Sequence, residues 1–230
     1  MKTIGLLGGM SWESTIGYYR LLNEGVRDRL GGLHSCKLIM NSVDFFEYEA
    51  LMRKGDWDSI GLELSKAAQS VEAGGADVLL IGTNTMHIVA DKIQAAVDIP
   101  LLHMADAIAA SAAKLGVKKL GLLGTAFTME KDFLTRPLLE KHGLDVVVPK
   151  REARDFIHQT IFSELCCGKL EDCTRDGYLN VIAELVDEGA EAIVLGCTEI
   201  GLLVRPQDVD VPLIDTVQAH VDAALEVALA

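Results

Sequence analysis

The feature that most constrains the fold is a set of short segments that occurs twice, in the same order, in the two halves of the chain. Each segment of the first half has a counterpart about half a chain length later. The pairs are 2–9 with 118–125, 75–83 with 189–197, and 97–103 with 209–215. We interpret them as an internal duplication that produces two structurally related lobes. The alternative is that all α/β units resemble one another, because small residues commonly follow their strands.

Short apolar segments rich in Ile, Val and Leu alternate along the chain with longer amphipathic segments. In the first half the pattern predicts strands at 3–7, 37–40 and 76–81, and helices at 14–22 and 57–73. The alternation predicts the α/β class, with two pseudo-symmetric lobes, each a mainly parallel sheet flanked by helices. We assign 1–100 plus 209–230 to the first lobe and 101–208 to the second. We expect the active site between the lobes, since pockets favour domain interfaces.

Composition and charge narrow the possible partners. Of the 230 residues, 50% are apolar and 24% are charged, as in a globular protein. No apolar segment approaches the ~20 residues of a membrane helix, and the start of the chain lacks the apolar stretch of a signal peptide. We therefore expect a cytoplasmic protein with no membrane partner. The formal net charge of −13 would repel a phosphate backbone, so we expect no nucleic-acid partner.

The cysteines do not have the spacing of a disulfide framework or a zinc site. They number five and include no C-x-x-C pair: Cys36, Cys166, Cys167, Cys173 and Cys197. We expect reduced thiols, with a packing role for Cys166, Cys167 and Cys173. The glycines after the first strand lack the order of a dinucleotide-binding loop, and no phosphate-binding P-loop motif occurs. The chain therefore offers no sequence sign of a bound nucleotide or structural metal.

Polar residues follow two equivalent strands of the predicted lobes. Thr83 to His87 follow the strand at 76–81, and Cys197 to Gly201 follow its counterpart at 190–195. Backbone N–H groups at a helix start, together with hydroxyl and amide side chains, can hold a carboxylate. The same N–H groups would lower the pKa of the Cys197 thiol toward the reactive thiolate. These segments predict a ligand that is a small molecule bearing a carboxylate.

Each of these residues also has a simpler explanation. Cys197 could be a small buried apolar residue, which is the usual role of a cysteine at a strand end. His87 lies one helical turn beyond Thr83, so it could tune the pocket or be an ordinary half-buried histidine. Glu199 could orient Cys197 or only complement a helix N-terminus.

Three stretches resemble the signature segments of the cofactor-independent aspartate/glutamate racemase family. They are Gly5 to Thr15, Thr83 to His87, and Gly196 to Gly201, and the resemblance extends over essentially the whole chain. It implies two lobes that enclose an amino acid, with one cysteine from each lobe as acid or base on opposite faces of the α-carbon. It also implies that neither pyridoxal phosphate nor metal is used, so we expect no cofactor. We further expect a homodimer.

The chain departs from the family at one decisive position. The second family cysteine is present as Cys197, but Thr83 occupies the position of the first. A thiol of pKa ~8.5 exchanges protons at neutral pH, whereas an aliphatic hydroxyl is a much weaker base without an activating neighbour. By the resemblance, Cys197 removes the proton of the L-isomer, and Thr83, or a water held by it, serves the weaker D-face.

The remaining substrate contacts are carried over by position. The resemblance assigns the α-amino-acid end of L-Asp or L-Glu to Asn84, Thr85, Thr198 and Glu199, and Met10 lines the pocket. Met52 and Arg53 are expected in a loop that closes over the site, and Lys169 is the other candidate for the side-chain carboxylate. For Arg53 and Lys169, surface solvation is the alternative explanation.

Two other kinds of function stay open. A single thiol could protonate an enolate after decarboxylation, or attack an alkene and permit cis–trans isomerisation, as in other enzymes of this superfamily. Alternatively, loss of the first thiol could leave a protein that binds an acidic metabolite without turnover. Product chirality and Cys197-dependent solvent exchange distinguish these possibilities from a racemase.

Overall fold

The computed structural model describes residues 1–230, which divide into two compact units. The first comprises Met1–His103 and His220–Ala230, and the second comprises Met104–Ala219. Each unit has one parallel sheet flanked by helices, which confirms the predicted α/β class. None of the helices combines the length and the apolar character needed to cross a bilayer.

The first unit contains a three-stranded sheet with the order β2-β1-β3. Its strands are β1 (Ile4–Gly8), β2 (Leu38–Ser42) and β3 (Val78–Ile81). Its helices are α1 (Trp12–Leu30), α2 (Phe45–Lys54), α3 (Trp57–Ala73) and α4 (Ala90–Gln94), and a 3₁₀ helix spans Thr85–Val89. Ser11 caps the N-terminus of α1, because its side chain accepts a hydrogen bond from the Ser14 N–H.

The second unit contains a four-stranded sheet with the order β5-β4-β6-β7. Its strands are β4 (Lys119–Leu123), β5 (Asp145–Val147), β6 (Ala192–Leu195) and β7 (Leu213–Asp215). Its helices are α5 (Met104–Leu115), α6 (Ala126–Glu130), α7 (Asp132–His142), α8 (Arg151–Ser163), α9 (Asp172–Asp187) and α10 (Ile200–Leu203). Two 3₁₀ helices span Leu165–Cys167 and Pro206–Asp208, and α11 (Thr216–Leu229) begins here and ends in the first unit.

The repeated segments make equivalent hydrogen bonds in the two sheets. The N–H of Gly82 donates to Leu7 over 2.8 Å, and that of Gly196 donates to Leu123 over 2.7 Å. The third segment pair behaves similarly, because Leu79 bonds Pro100 and Ile193 bonds Pro212, each over 2.9 Å. The two lobes are therefore structurally related, as the duplication predicts.

The lobe boundary differs from the predicted one at its second crossing. Residues 209–219 are predicted in the first lobe, whereas β7 lies beside β6 in the second sheet and Ala219 ends the second unit. In the first unit the counterpart of β7 is reduced to a single bridge between Leu79 and Leu101. The third repeated segment therefore completes each sheet within its own unit.

Glycines in the first strand of each sheet allow a helix to pack closely against it. A Cβ atom at Gly5 would lie 2.4 Å from Cγ1 of Val71 on α3. At Gly121, the equivalent residue of β4, it would lie 3.1 Å from Leu185 on α9 and 2.6 Å from Ile193. A residue with a side chain would push the helix away from the sheet, which explains why glycine recurs at this point of the repeat.

Candidate functional site

The first group of predicted site residues lies just beyond β3. Thr83 is half-buried, whereas Asn84 and Thr85 are buried. The segment enters a 3₁₀ helix at Thr85–Val89, so the predicted helix start is present and the helix is of the 3₁₀ type. The side chain of Thr83 therefore projects from a short, tightly turned connection at the carboxyl edge of the sheet, where ligands of parallel α/β folds bind.

The buried side chain of His87 contacts the backbone of this connection. Its ring is 2% exposed, and Nδ1 lies 2.9 Å from the Thr83 carbonyl oxygen and 3.2 Å from that of Asn84. Burial lowers the pKa of His87 well below its usual value, and His103 and His220 lower it further. His87 is therefore a neutral, fully buried imidazole that contacts the backbone of Thr83.

The second group lies just beyond β6. Cys197, Thr198 and Glu199 are each half-buried, and Cys197 packs against the apolar core of the second unit. The Cys197 thiol donates to Oε2 of Glu199 over 2.9 Å, and the Thr198 hydroxyl donates to the same oxygen over 2.6 Å. One carboxylate oxygen thus receives the protons of both neighbouring side chains.

This geometry corrects the predicted acidity of Cys197. Its pKa is raised well above the ordinary value, first by burial, then by the negative charge of Glu199 and by the hydrogen bond that the thiol donates. The helix that follows, α10, has only four residues, so its dipole offers little compensation. Cys197 in the free protein is consequently a thiol, with a carboxylate in position to accept its proton.

We expect Glu199→Gln to lower the pKa of the Cys197 thiol, because the substitution removes the negative charge that disfavours the thiolate. Iodoacetamide labelling, followed across pH by mass spectrometry of the Cys197 peptide, measures this pKa separately from the other four thiols. Glu188→Gln, at an exposed carboxylate after α9, is the control and should leave the profile unchanged. An unchanged or upward-shifted profile for Glu199→Gln would contradict the role given to this carboxylate.

The predicted closing loop has a different structure. Met52 and Arg53 lie in the last turn of α2, not in a loop, because Asp44 and Gly55 provide the caps of a complete helix. Met52 is buried, whereas Arg53 is exposed and pairs with Glu49 on the same helix. Arg53 would have to exchange this partner before it could bind a substrate carboxylate.

The other predicted residues divide between core and surface. Met10 is 4% exposed, at the end of β1, and Lys169 is exposed after the 3₁₀ helix at Leu165–Cys167. The packing role expected for Cys166, Cys167 and Cys173 is wrong, since all three are exposed. Cys166 nevertheless contributes to the raised pKa of Cys197, so it belongs to the surroundings of that thiol.

Sequence reasoning missed the residues that surround His87. His220 is fully buried, accepts a hydrogen bond at Nδ1 from the Tyr18 hydroxyl over 2.9 Å, and lies 2.9 Å from the Leu102 carbonyl oxygen through Nε2. His103 packs edge-on against His87, with ring centroids 4.8 Å apart. Neither periodicity nor a motif indicates this cluster, because its members lie far apart in the sequence. No group of three or more His, Cys, Asp or Glu side chains is arranged to hold a metal ion.

Comparison with known proteins agrees with the two-unit architecture. The family model described as Asp/Glu/Hydantoin racemase matches residues 7–224. The chain is 50% identical to a candidate Asp/Glu racemase from Yersinia pestis, with full coverage of both chains and a TM-score of 0.95. It is 34% identical to PH1733, an aspartate racemase homologue from Pyrococcus horikoshii, with full coverage of both and a TM-score of 0.88. Among curated proteins, the broad specificity amino-acid racemase RacX of Bacillus subtilis is 21% identical over 93% of this chain and 92% of its own.

Proposed function

Because the chain belongs to the Asp/Glu/hydantoin racemase family, we propose that it is a cofactor-independent racemase of acidic amino acids. In this proposal Cys197 exchanges the α-proton on the L-face and Thr83 serves the D-face. The observation that carries it is the Cys197 thiol hydrogen-bonded to Glu199 at the end of β6, with Thr83 at the equivalent end of β3.

The Cys197–Glu199 pair can supply both protonation states that a racemase requires. Transfer of the thiol proton to Glu199 produces a thiolate, and the positive α-ammonium group of a bound amino acid favours that transfer. The thiolate then takes the α-proton, and the electron pair of the C–H bond is delocalised into the substrate carboxylate. Return of a proton to the same face regenerates the L-isomer, and protonation of the opposite face yields the D-isomer.

Thr83 limits the second half of this reaction. Its hydroxyl is a poor base at neutral pH, but it can donate a proton or hold a water that does so. Since the enantiomers have equal free energies in water, their equilibrium constant is one, and a slow D-face step lowers net conversion equally in both directions. The two faces are distinguished by exchange of the α-proton with solvent without inversion of configuration. This exchange should be fast for the L-isomer and slow for the D-isomer.

Acidic substrates are proposed on the basis of the family and of the donors near the two strand ends. Asn84 and Thr85 beyond β3, and Thr198 and Glu199 beyond β6, are proposed to hold the α-ammonium and α-carboxylate groups. Met10 is proposed to line the pocket beside the α-carbon, and Met52, which is buried on α2, is proposed as a further substrate contact. We propose Lys169 as the cation that binds the side-chain carboxylate, because Arg53 already forms an ion pair with Glu49.

Location and assembly are part of the same proposal. We propose a cytoplasmic homodimer that acts on a small amino-acid substrate without a nucleic-acid partner. The net charge of −13 supports the last point, because it opposes binding to a phosphate backbone. Three exposed apolar residues on one face of α1, Trp12, Ile16 and Tyr19, support self-association.

The single thiol favours a second candidate function, an isomerase or decarboxylase that needs only one acid/base cysteine. Incubation with L- and D-Asp and L- and D-Glu, followed by chiral chromatography, tests the racemase directly. Malonates and maleate are assayed in parallel, with Cys197→Ala as the control for contaminating activity. We expect formation of the opposite enantiomer from Asp or Glu. Turnover of a malonate or maleate alone, or tight amino-acid binding with no Cys197-dependent turnover or exchange, would overturn the proposal.

A further inference from the structure

The first unit contains a cluster of three histidines that the proposed chemistry does not use. We define the histidine cluster as His87, His103 and His220. The ring centroid of His87 lies 4.8 Å from that of His103 and 5.9 Å from that of His220. His87 and His220 are at most 2% exposed. Buried polar rings are retained where they make specific hydrogen bonds, so the partners of these rings indicate what the cluster does.

The hydrogen bonds of His87 determine which of its nitrogens carries the proton. Both groups within reach of Nδ1 are carbonyl oxygens, of Thr83 at 2.9 Å and Asn84 at 3.2 Å, and carbonyl oxygens only accept. Nδ1 must therefore carry the hydrogen. Nε2 has no hydrogen-bond partner, so it is a bare lone pair in a buried setting. A buried polar atom without a partner is costly, which argues that the ring serves the Nδ1–H contact.

That contact fixes the backbone from which Thr83 projects. The ring of His87 donates back to the residues three and four positions earlier, while its own N–H donates to the Asn84 carbonyl over 3.1 Å. Both peptide groups that follow Thr83 and Asn84 are thereby held in one orientation. Since the Cα–Cβ bond of Thr83 is fixed by its backbone, His87 sets the direction in which the Thr83 side chain leaves the chain.

His220 links the histidine cluster to α1 and to the backbone before His103 through two hydrogen bonds. Its Nε2 lies 2.9 Å from the Leu102 carbonyl oxygen, which only accepts, so Nε2 carries the proton and Nδ1 accepts from Tyr18. The bond to Leu102 restrains the residue before His103, whose ring packs edge-on against His87. A continuous set of contacts thus extends from α1 and α11 to the Thr83 backbone.

We propose that His87 is a positioning residue that holds Thr83 in the orientation needed for proton transfer on the D-face, with Tyr18 and His220 as its support. This inference rests on the proposed function, in which Thr83 serves that face. The imidazole itself exchanges no proton with substrate. Its loss should therefore affect one face of the reaction and leave the other face unchanged.

The test uses two substitutions of His87, to Asn and to Leu, whose side chains have the same shape as each other. In His87→Asn an amide N–H bonded to Cγ replaces the Nδ1–H donor, whereas His87→Leu has the same shape and no donor. We expect His87→Leu to lower net L-to-D conversion and D-isomer exchange at least tenfold, while L-isomer exchange in deuterated water stays within twofold of wild type. We expect His87→Asn to recover most of the loss. Equal losses on both faces, no loss, or an Asn variant as defective as Leu would overturn the proposal.

A second measurement is independent of turnover and of the stability of the variants. The ¹⁵N shifts of His87 in the full wild-type chain should report a neutral ring with the proton on Nδ1, whereas a proton on Nε2 would contradict the inference. Tyr18→Phe removes the hydrogen bond to His220 and keeps the aromatic ring of residue 18. It should lower D-isomer exchange and net conversion by a smaller factor than His87→Leu, with L-isomer exchange unchanged. Failure of the proposed function itself would be seen differently, as the absence of Cys197-dependent exchange in wild type.

Discussion

Cys197→Ala is expected to lower exchange of the L-aspartate or L-glutamate α-proton with deuterated water by about 10²- to 10⁴-fold, the usual contribution of a positioned acid or base. The thiol lies at the end of β6 with a carboxylate acceptor, Glu199, at 2.9 Å, and its ordinary pKa lies far closer to neutral pH than that of the neighbouring Thr198 hydroxyl. Proton NMR of the α-hydrogen signal in deuterated buffer measures the rate. Net conversion should fall by a smaller factor than exchange, because in wild type it is limited by the slower step at Thr83.

The matched control for this substitution is Cys166→Ala. Cys166 is an exposed thiol of the same unit that influences the pKa of Cys197, so its loss tests the effect of removing a nearby sulfur. We expect Cys166→Ala to retain L-exchange within a few-fold of wild type. If Cys166→Ala and Cys197→Ala are equally defective, or if Cys197→Ala exchanges as fast as wild type, the assignment of the L-face to Cys197 fails.

Thr83→Cys is expected to raise D-isomer exchange and net racemisation by about 10²-fold. A thiol at this position brings a group of pKa ~8.5 to the D-face, in place of a hydroxyl that is hardly ionised at neutral pH. L-isomer exchange should change little, because Cys197 carries that step. The rates are obtained from solvent exchange of each enantiomer and from chiral chromatography of the products.

Two companion variants separate chemistry from packing at position 83. Thr83→Ser keeps the hydroxyl and should preserve net conversion, whereas Thr83→Ala should lower it while L-exchange persists. A Thr83→Cys variant that folds normally by circular dichroism but gains no D-face activity would show that residue 83 is not the second acid/base position. A Thr83→Ala variant with unchanged net conversion would have the same meaning.

The fold could be predicted from sequence because its signals are local and repeated. Apolar segments followed by Gly-Gly or Gly-Thr predicted the strands that became β1 and β4, and helix α3 has the predicted bounds Trp57–Ala73. The glycines at 5 and 121 are required wherever a helix packs on the first strand, so they recur in both halves. The lobe to which β7 belongs was harder to predict. A strand of three residues carries little pattern of its own, and only its pairing with β6 places it in the second sheet.

The site could be predicted only in part, because its chemistry depends on tertiary contacts. The strand ends located Thr83 and Cys197, but the direction of the Cys197 pKa depends on burial and on the Glu199 carboxylate, which a motif does not show. The helix that contains Met52 was likewise predicted as a loop, although Asp44 and Gly55 cap it at its two ends. The histidine cluster is brought together by contacts between α1, α11 and the 3₁₀ helix at Thr85–Val89, which leave no periodic pattern.

The central claim is that the two faces of the substrate are served by groups of unequal strength. The most direct test is the α-proton exchange of each enantiomer of aspartate and glutamate with wild-type enzyme in deuterated water, followed at early times before inversion. The account predicts that the L-isomer incorporates deuterium much faster than it inverts, whereas the D-isomer incorporates deuterium no faster than it converts to L. Equal exchange of the two enantiomers, or faster exchange of the D-isomer, would contradict it.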